Sequence, residues 1–71
     1  MYYQLLKGGI EDKIYGAQRF DTDSITSFVF DPANTDYQKF KVDVADGVEL
    51  QDPDGNVMTQ EQVDEFLKTI P

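Results

Sequence analysis

Apolar residues cluster in three short segments near the start of the chain, each bounded by turn residues. Residues 2–7 are rich in aromatic and aliphatic side chains and are followed by Gly8-Gly9, a pair that suits a turn. Residues 14–20 and 25–30 have the same character, and a cluster of turn-forming residues at 21–24 separates them. Because parallel neighbours would need a crossover of about a dozen residues, these short connections predict an antiparallel meander.

Two details refine the predicted strands. Within residues 25–30, the odd-numbered side chains point to one face of the strand and the even-numbered side chains to the other. Gly16 interrupts the second segment, and a glycine inside a strand marks either a bulge or the close approach of another backbone.

The third strand is predicted to end at Asp31-Pro32. Proline cannot donate to a strand ladder and biases the residue before it toward an extended conformation, so the chain is expected to turn there. Asp31 or Asn34 can then serve as the N-cap of a helix, and Asp36 would lie near the positive end of its dipole. These signals predict a helix immediately after the turn.

The segment after the turn has two interpretations. A helix over residues 35–46 would end at Gly47 and would bury three residues spaced i, i+3 and i+7: Tyr37, Phe40 and Val44. Alternatively, Val42 alternates with polar neighbours and Asp46-Gly47 is a hairpin signal, so residues 39–51 could form two strands. The helix-start signal favours the helix.

The last segment carries a second helix signal. Thr59 and Gln62 form a capping box, and Met58 and Val63 occupy the two positions of a hydrophobic staple. The predicted helix has one apolar stripe: Val63, Phe66, Leu67 and Ile70. This stripe fits either the core of the domain or a docking face for a neighbouring subunit.

These elements predict a single α+β domain over residues 1–71, a three-stranded antiparallel meander with one or two helices packed on one face. A chain of 71 residues is near the lower limit for a single core, and it has no cysteine that could add a disulfide or a thiolate metal site. We therefore expect it to form a homo-oligomer or to dock as a subunit. The sequence has no long apolar run and no leader-like start, so synthesis in a cytoplasm is expected.

The net charge of −8 is distributed unevenly. Residues 1–41 hold six acids and five bases, whereas residues 42–71 hold eight acids and a single base, Lys68. An acidic surface repels phosphate, so binding of nucleic acid is disfavoured and binding to a basic protein surface is favoured. The acids can also serve simply as a solvated face that keeps a small protein soluble.

Catalysis and metal binding have few candidate residues. The chain has no histidine and no cysteine, which excludes the usual nucleophile–base pairs and transition-metal sites. Residues 52–56 place oxygen atoms as at the start of an EF-hand loop, but Val57 and Val63 occupy the positions of the required glycine and bidentate glutamate. We therefore interpret residues 52–56 as a turn, and predict no enzyme activity, no cofactor and no metal.

Residues 25–47 resemble a known group of sequences. An apolar strand runs into FDPANTDYQ at residues 30–38, and a short amphipathic segment then ends in ADG at residues 45–47. This pattern resembles small proteins encoded by tailed bacteriophages, often among virion structural genes. The resemblance implies a phage setting and a role in the virion or its assembly, and it implies no catalytic residue.

The expected function is that of a bacteriophage virion structural or assembly protein, made in the host cytoplasm, which binds other virion proteins and neither nucleic acid nor membrane. The predicted contact residues lie in an aromatic end, a rigid turn and the last helix: Tyr2, Tyr3, Asp31, Pro32, Asn34, Tyr37, Phe66, Leu67 and Ile70. The acidic composition supports one alternative, a mimic of DNA that inhibits a host nucleic-acid-binding protein.

Overall fold

A computed structural model describes residues 1–9 and 13–71 and shows an α+β fold. In chain order its elements are β1 (Tyr2–Gly8), β2 (Lys13–Phe20), β3 (Ile25–Val29), α1 (Thr35–Ala45), β4 (Leu50–Gln51) and α2 (Gln60–Leu67). The three predicted strands and the two predicted helices are therefore present, with bounds that agree to within three residues.

The strands form one mixed sheet in the order β3-β2-β1-β4. β1 pairs with β2 and β2 pairs with β3, both antiparallel, which confirms the meander. β4 lies parallel to β1, with Leu50 opposite Tyr3, and this fourth strand corrects the prediction of a three-stranded sheet. A strand of two residues has no detectable period in sequence, because its existence depends on pairing with a segment far away along the chain.

Gly16 lies where three strands meet. The register of β1 with β2 shifts just after Leu6, which pairs with Gly16, and Tyr15 is left as the extra residue of a bulge. On the other side, a Cβ atom built on Gly16 would lie 2.2 Å from the carbonyl oxygen of Phe28. The two alternatives predicted for Gly16, a bulge or a close backbone approach, are therefore both observed.

The segment after the turn is the helix α1, and the hairpin alternative is wrong. Asn34 is the N-cap, since its Oδ1 accepts hydrogen bonds from the N–H groups of Asp36 and Tyr37 at 2.8 and 3.2 Å. The chain leaves the helix through Gly47, whose φ of +104° favours glycine. The predicted stripe is buried: Tyr37, Phe40 and Val44.

Val42 tests this helical face because it lies on the outer side of α1, where 67% of its surface is exposed. We expect Val42→Lys to change the free energy of unfolding by less than about 0.5 kcal/mol, as is usual for surface substitutions. Val44→Lys is the matched comparison and should cost several-fold more, because it would bury a charge. Urea unfolding of both variants measures the difference, and equal losses would contradict the assignment of the two faces.

α2 begins at the predicted capping box. Oγ1 of Thr59 accepts from the N–H of Gln62 at 3.1 Å, and Oε1 of Gln62 accepts from the N–H of Thr59 at 2.9 Å. The helix ends at Leu67, so Ile70 lies beyond it and not on its last turn, which corrects the predicted stripe. Ile70 still packs against the core as a partly buried residue.

Removing the Thr59 hydroxyl should destabilise the start of α2. We expect Thr59→Ala to lower the free energy of unfolding by about 1 kcal/mol, because one backbone N–H loses its acceptor. Thr59→Ser keeps the hydroxyl, so its free energy of unfolding should remain close to that of the unmodified protein. Thermal unfolding followed by circular dichroism makes the comparison, and equal midpoints for the two variants would refute the contribution of the cap.

The core lies between the sheet and both helices. Its buried residues come from alternate positions of the strands and from one stripe of each helix: Tyr3, Leu5, Ala17, Phe28, Tyr37, Phe40, Val44, Leu50 and Val63. Phe30 and Phe66 join this cluster, with ring centroids 5.9 Å apart. Within the described residues, both helices therefore pack on one face of the sheet, and neither covers the opposite face.

Candidate interaction surface

Two of the predicted contact residues belong to the core. Tyr3 and Tyr37 are 0% and 1% exposed. The hydroxyl of Tyr3 donates to Oδ2 of Asp43 at 2.7 Å, and the hydroxyl of Tyr37 donates to the backbone oxygen of Pro71. Neither ring is accessible to a partner, so their assignment to an exposed surface is corrected. The alternation of side chains along β1 already indicated that Tyr3 is buried, because it places Tyr3 on the same face as Leu5.

The hydrogen bond between Tyr3 and Asp43 perturbs both groups. Burial, together with the hydrogen bond and the negative charge of Asp43, raises the pKa of Tyr3 to about 12. Burial acts to raise the pKa of Asp43 as well, but hydrogen bonds from Tyr3 and Lys39 outweigh it and hold that pKa below its usual value. This charge-assisted hydrogen bond therefore connects β1 to α1.

The predicted contact residues of the turn are placed at the surface, where two of them serve the backbone. Asp31 and Pro32 are exposed, and Oδ1 of Asp31 accepts from the N–H of Ala33 at 3.0 Å. Asn34 is partly buried because its side chain caps α1. These bonds hold the turn in one conformation, and its role in contacting a partner stays a prediction.

The predicted contact residues of the last helix pack against their own domain. Phe66, Leu67 and Ile70 are partly buried against the core. The chain after α2 is also held by α1, since Nζ of Lys41 donates to the backbone oxygen of Pro71 at 2.9 Å. This packing agrees with the core interpretation of the stripe, and the docking role of these residues stays a prediction.

The sheet face opposite the helices, called the open face below, carries apolar side chains, of which sequence reasoning singled out only Tyr2 as a contact residue. They come from β1, β2 and β3: Tyr2, Leu6, Tyr15, Phe20, Ile25 and Val29. Ile25 and Val29 are 62% and 51% exposed, and Tyr2 stacks on Phe20 with ring centroids 4.7 Å apart. The sequence pattern indicates a second apolar face of the sheet, because β1 and β3 carry apolar residues at both odd and even positions.

Two shallow grooves lie on the open face. The larger, with a volume of about 700 Å³, lies beside the turn between β2 and β3. Tyr2, Phe20 and Ile25 form its apolar wall, and Asp21 and Asp23 line its acidic side. The smaller, of about 270 Å³, lies farther along the same face. An apolar wall beside carboxylates suits a partner segment with both apolar and basic side chains.

The EF-hand-like segment is a turn whose first carboxylate serves its own backbone. Oδ1 of Asp52 accepts from the N–H groups of Asp54 and Asn56, each at 2.9 Å. These hydrogen bonds, the one from the backbone of Asn56 above all, lower the pKa of Asp52. Within residues 1–9 and 13–71, no group of three or more potential ligands is placed to hold a metal ion.

Calcium is expected to stabilise this protein no more than magnesium does. Because Asp52 already accepts two backbone hydrogen bonds, millimolar calcium should raise the thermal midpoint no more than millimolar magnesium does. Differential scanning calorimetry with each ion makes the test. Specific micromolar calcium binding that disappears in Asp52→Ala would overturn the interpretation as a turn.

Comparisons with known proteins give no relative from which a role could be transferred. No protein-family model matches the chain, and searches of the curated proteins and of the solved structures found no match. Neither helix in the described part of the chain is long and apolar enough to span a bilayer. The open face and the resemblance of residues 25–47 are therefore the features that bear on function.

Proposed function

We propose that this chain is a bacteriophage virion structural or assembly protein that acts by protein–protein contact and has no catalytic activity. The observation that supports the contact role is the open face, which no helix among the described residues covers. Contiguous apolar groups on an uncovered surface are typical of interaction sites. The resemblance of FDPANTDYQ to phage sequences supplies the setting, in which the partners are other virion proteins.

The chemistry of the open face suits a protein partner. Aromatic residues are enriched at the centres of protein interfaces, and Tyr2 and Phe20 present a stacked pair there. Fully burying an isoleucine or valine side chain stabilises a complex by about 1.5–3 kcal/mol, so covering the exposed halves of Ile25 and Val29 contributes roughly half of that for each. These terms together provide a driving force for docking.

The charges favour docking through the open face and not through the helices. Glu61, Asp64 and Glu65 are exposed on α2, which packs on the opposite side of the sheet. Such a run of carboxylates keeps the helical side solvated. The same surface supports the second candidate function, a DNA mimic that binds the basic groove of a host protein.

Mass spectrometry of purified phage particles tests the proposal. A virion component should be present at a fixed ratio to the major capsid or tail proteins. A scaffold used only during assembly should be present in immature particles. Absence from both kinds of particle, together with capture by a basic host protein, would reject the proposal in favour of the DNA mimic.

A pair of surface variants tests the role of the open face within the same experiment. Ile25→Asp places a charge on the open face and should prevent incorporation into particles when it replaces the unmodified chain. Val42→Asp is the matched control, since Val42 is exposed to a similar degree on the outer side of α1. Circular dichroism establishes that both variants fold, and equal incorporation of both would reject the open face as the docking surface.

A further inference from the structure

The two edges of the sheet differ in how they are protected. The outer side of β4 is covered by the chain that follows it, because Gln51 forms a bridge with Val57 and the N–H of Met58 donates to the oxygen of Leu50 at 2.8 Å. At the other edge, no strand among the described residues pairs with the outer side of β3, although the carbonyl oxygen of Val29 accepts from the N–H of Asp31 at 2.9 Å. An unpaired edge strand is a template for adding another strand.

The ladder between β2 and β3 determines which N–H and C=O groups of β3 point away from β2. Two backbone hydrogen bonds mark the ends of the ladder between β3 and β2. The N–H of Phe30 donates to the carbonyl oxygen of Tyr15 at 3.2 Å, and the N–H of Asp21 donates to the carbonyl oxygen of Ser24 at 2.9 Å. Because bonded pairs alternate in an antiparallel ladder, Thr26 and Phe28 bond inward to β2. The outward residues are therefore Ile25, Ser27 and Val29. Of their outward backbone groups, the oxygen of Val29 is already bonded to the N–H of Asp31.

This edge lacks the devices that usually block strand addition. β3 reads Ile-Thr-Ser-Phe-Val, without lysine or proline, and its register with β2 is continuous. Protective edges use such residues, or bulges, to prevent pairing. The outward backbone groups belong to the same residues whose side chains lie on the open face. One added strand would therefore pair with these groups and also place its own side chains against those of Ile25 and Val29.

Charge decides which kind of strand fits. Asp23 precedes β3 and Asp31 follows it, and both are exposed. A second copy paired antiparallel about Ser27 would place Asp23 of each chain opposite Asp31 of the other, which is unfavourable because like charges directly opposite destabilise a sheet. A strand with basic residues at its ends would instead meet opposite charges at both ends.

We propose that β3 binds an extended segment of a partner protein as a fifth strand of the sheet. The segment has small apolar residues at alternate positions and lysine or arginine at its ends. Its backbone pairs with Ile25, with Ser27 and with the N–H of Val29. Its apolar side chains lie beside those of Ile25 and Val29 on the open face, and its basic ends lie near Asp23 and Asp31. This inference rests on the proposed function, since the partner would be a virion protein.

A synthetic peptide provides the probe. Its five central residues alternate valine and threonine between terminal lysines, and a fluorophore at one end reports binding by anisotropy. Two control peptides carry glutamate in place of lysine or N-methyl groups on alternate amides. We expect the basic peptide to bind, the acidic one to bind at least about tenfold more weakly, and the methylated one to show no binding.

Variants of β3 separate backbone pairing from charge. Ser27→Pro removes an outward N–H and leaves the inward bonds of β3 in place, so it should reduce peptide affinity at least about tenfold while the protein stays folded. Ser27→Thr keeps the N–H and is its control. The double variant Asp23→Asn, Asp31→Asn keeps the backbone intact, and should reduce the affinity and its dependence on salt concentration.

The outcomes distinguish this inference from the proposed function. The inference is supported by chemical-shift changes of amides 25–29 on peptide binding and by weaker binding to both β3 variants. It is overturned if the basic and acidic peptides bind equally, if Ser27→Pro binds like Ser27→Thr, or if sedimentation shows a dimer that Ser27→Pro abolishes. If particles incorporate Ser27→Pro normally, the virion role stands and the added strand is rejected.

Discussion

Replacing Gly16 with alanine is expected to destabilise the protein by about 3 kcal/mol or more. The added Cβ would lie 2.2 Å from the carbonyl oxygen of Phe28 and 3.2 Å from Cα of Val29. Both atoms belong to the backbone of β3, so the clash can be relieved only by moving β3 away from β2. A chain of this size has a total stability of roughly 0.05–0.15 kcal/mol per residue, so the loss is a large fraction of it.

The matched control for Gly16→Ala is Gly47→Ala. Gly47 has a φ of +104°, and apart from its two chain neighbours no described residue has an atom within 4 Å of the position that its Cβ would take. Its replacement therefore costs only the backbone strain, about 1–2 kcal/mol. Urea unfolding of the two variants makes the comparison. A smaller loss for Gly16→Ala than for Gly47→Ala would show that β3 does not approach Gly16 as closely as described.

Local signals in the sequence were sufficient to predict the helices and the meander. Asn34 caps α1 and Thr59 caps α2, and each cap depends only on residues within one turn of it. A glycine inside an apolar segment predicted either a bulge or a close backbone approach at Gly16, and the sequence did not show that both would occur there. The strand β4 was missed because Leu50 becomes part of a strand only through its pairing with Tyr3.

The candidate surface was predicted less well than the fold. The aromatic start of the chain predicts Tyr2 and Tyr3 together as exposed contact residues, but neighbouring residues of a strand point to opposite faces, and only one of them can lie outside the core. Ile25 and Val29 are not among the predicted contact residues, although their alternation with Phe28 separates two apolar faces. Which face the helices would cover depends on long-range packing, and that packing has no local signal.

Replacing Tyr3 with phenylalanine is expected to cost about 1.5–3 kcal/mol of unfolding free energy, because Asp43 loses a hydrogen bond to its charged carboxylate while the ring stays in place. Tyr2→Phe is the control, since the hydroxyl of Tyr2 makes no hydrogen bond to the described residues. Urea unfolding at neutral pH should show a loss for Tyr3→Phe alone. Equal behaviour of the two variants would exclude a stabilising role for the Tyr3–Asp43 hydrogen bond.

The contribution of the Tyr3 hydroxyl to the free energy of unfolding should also depend on pH, in a window set by the raised pKa of Tyr3. The folded protein holds the pKa of Tyr3 at about 12, whereas a tyrosine in the unfolded chain has a pKa of about 10. The hydroxyl therefore contributes fully below pH 10, and its contribution falls as the pH rises from about 10 to about 12. A shift of two pKa units corresponds to roughly 2–3 kcal/mol. The stability difference between the unmodified protein and Tyr3→Phe, measured by urea unfolding from pH 8 to 12, should shrink across that window. A difference that stays constant would contradict the assigned link between β1 and α1.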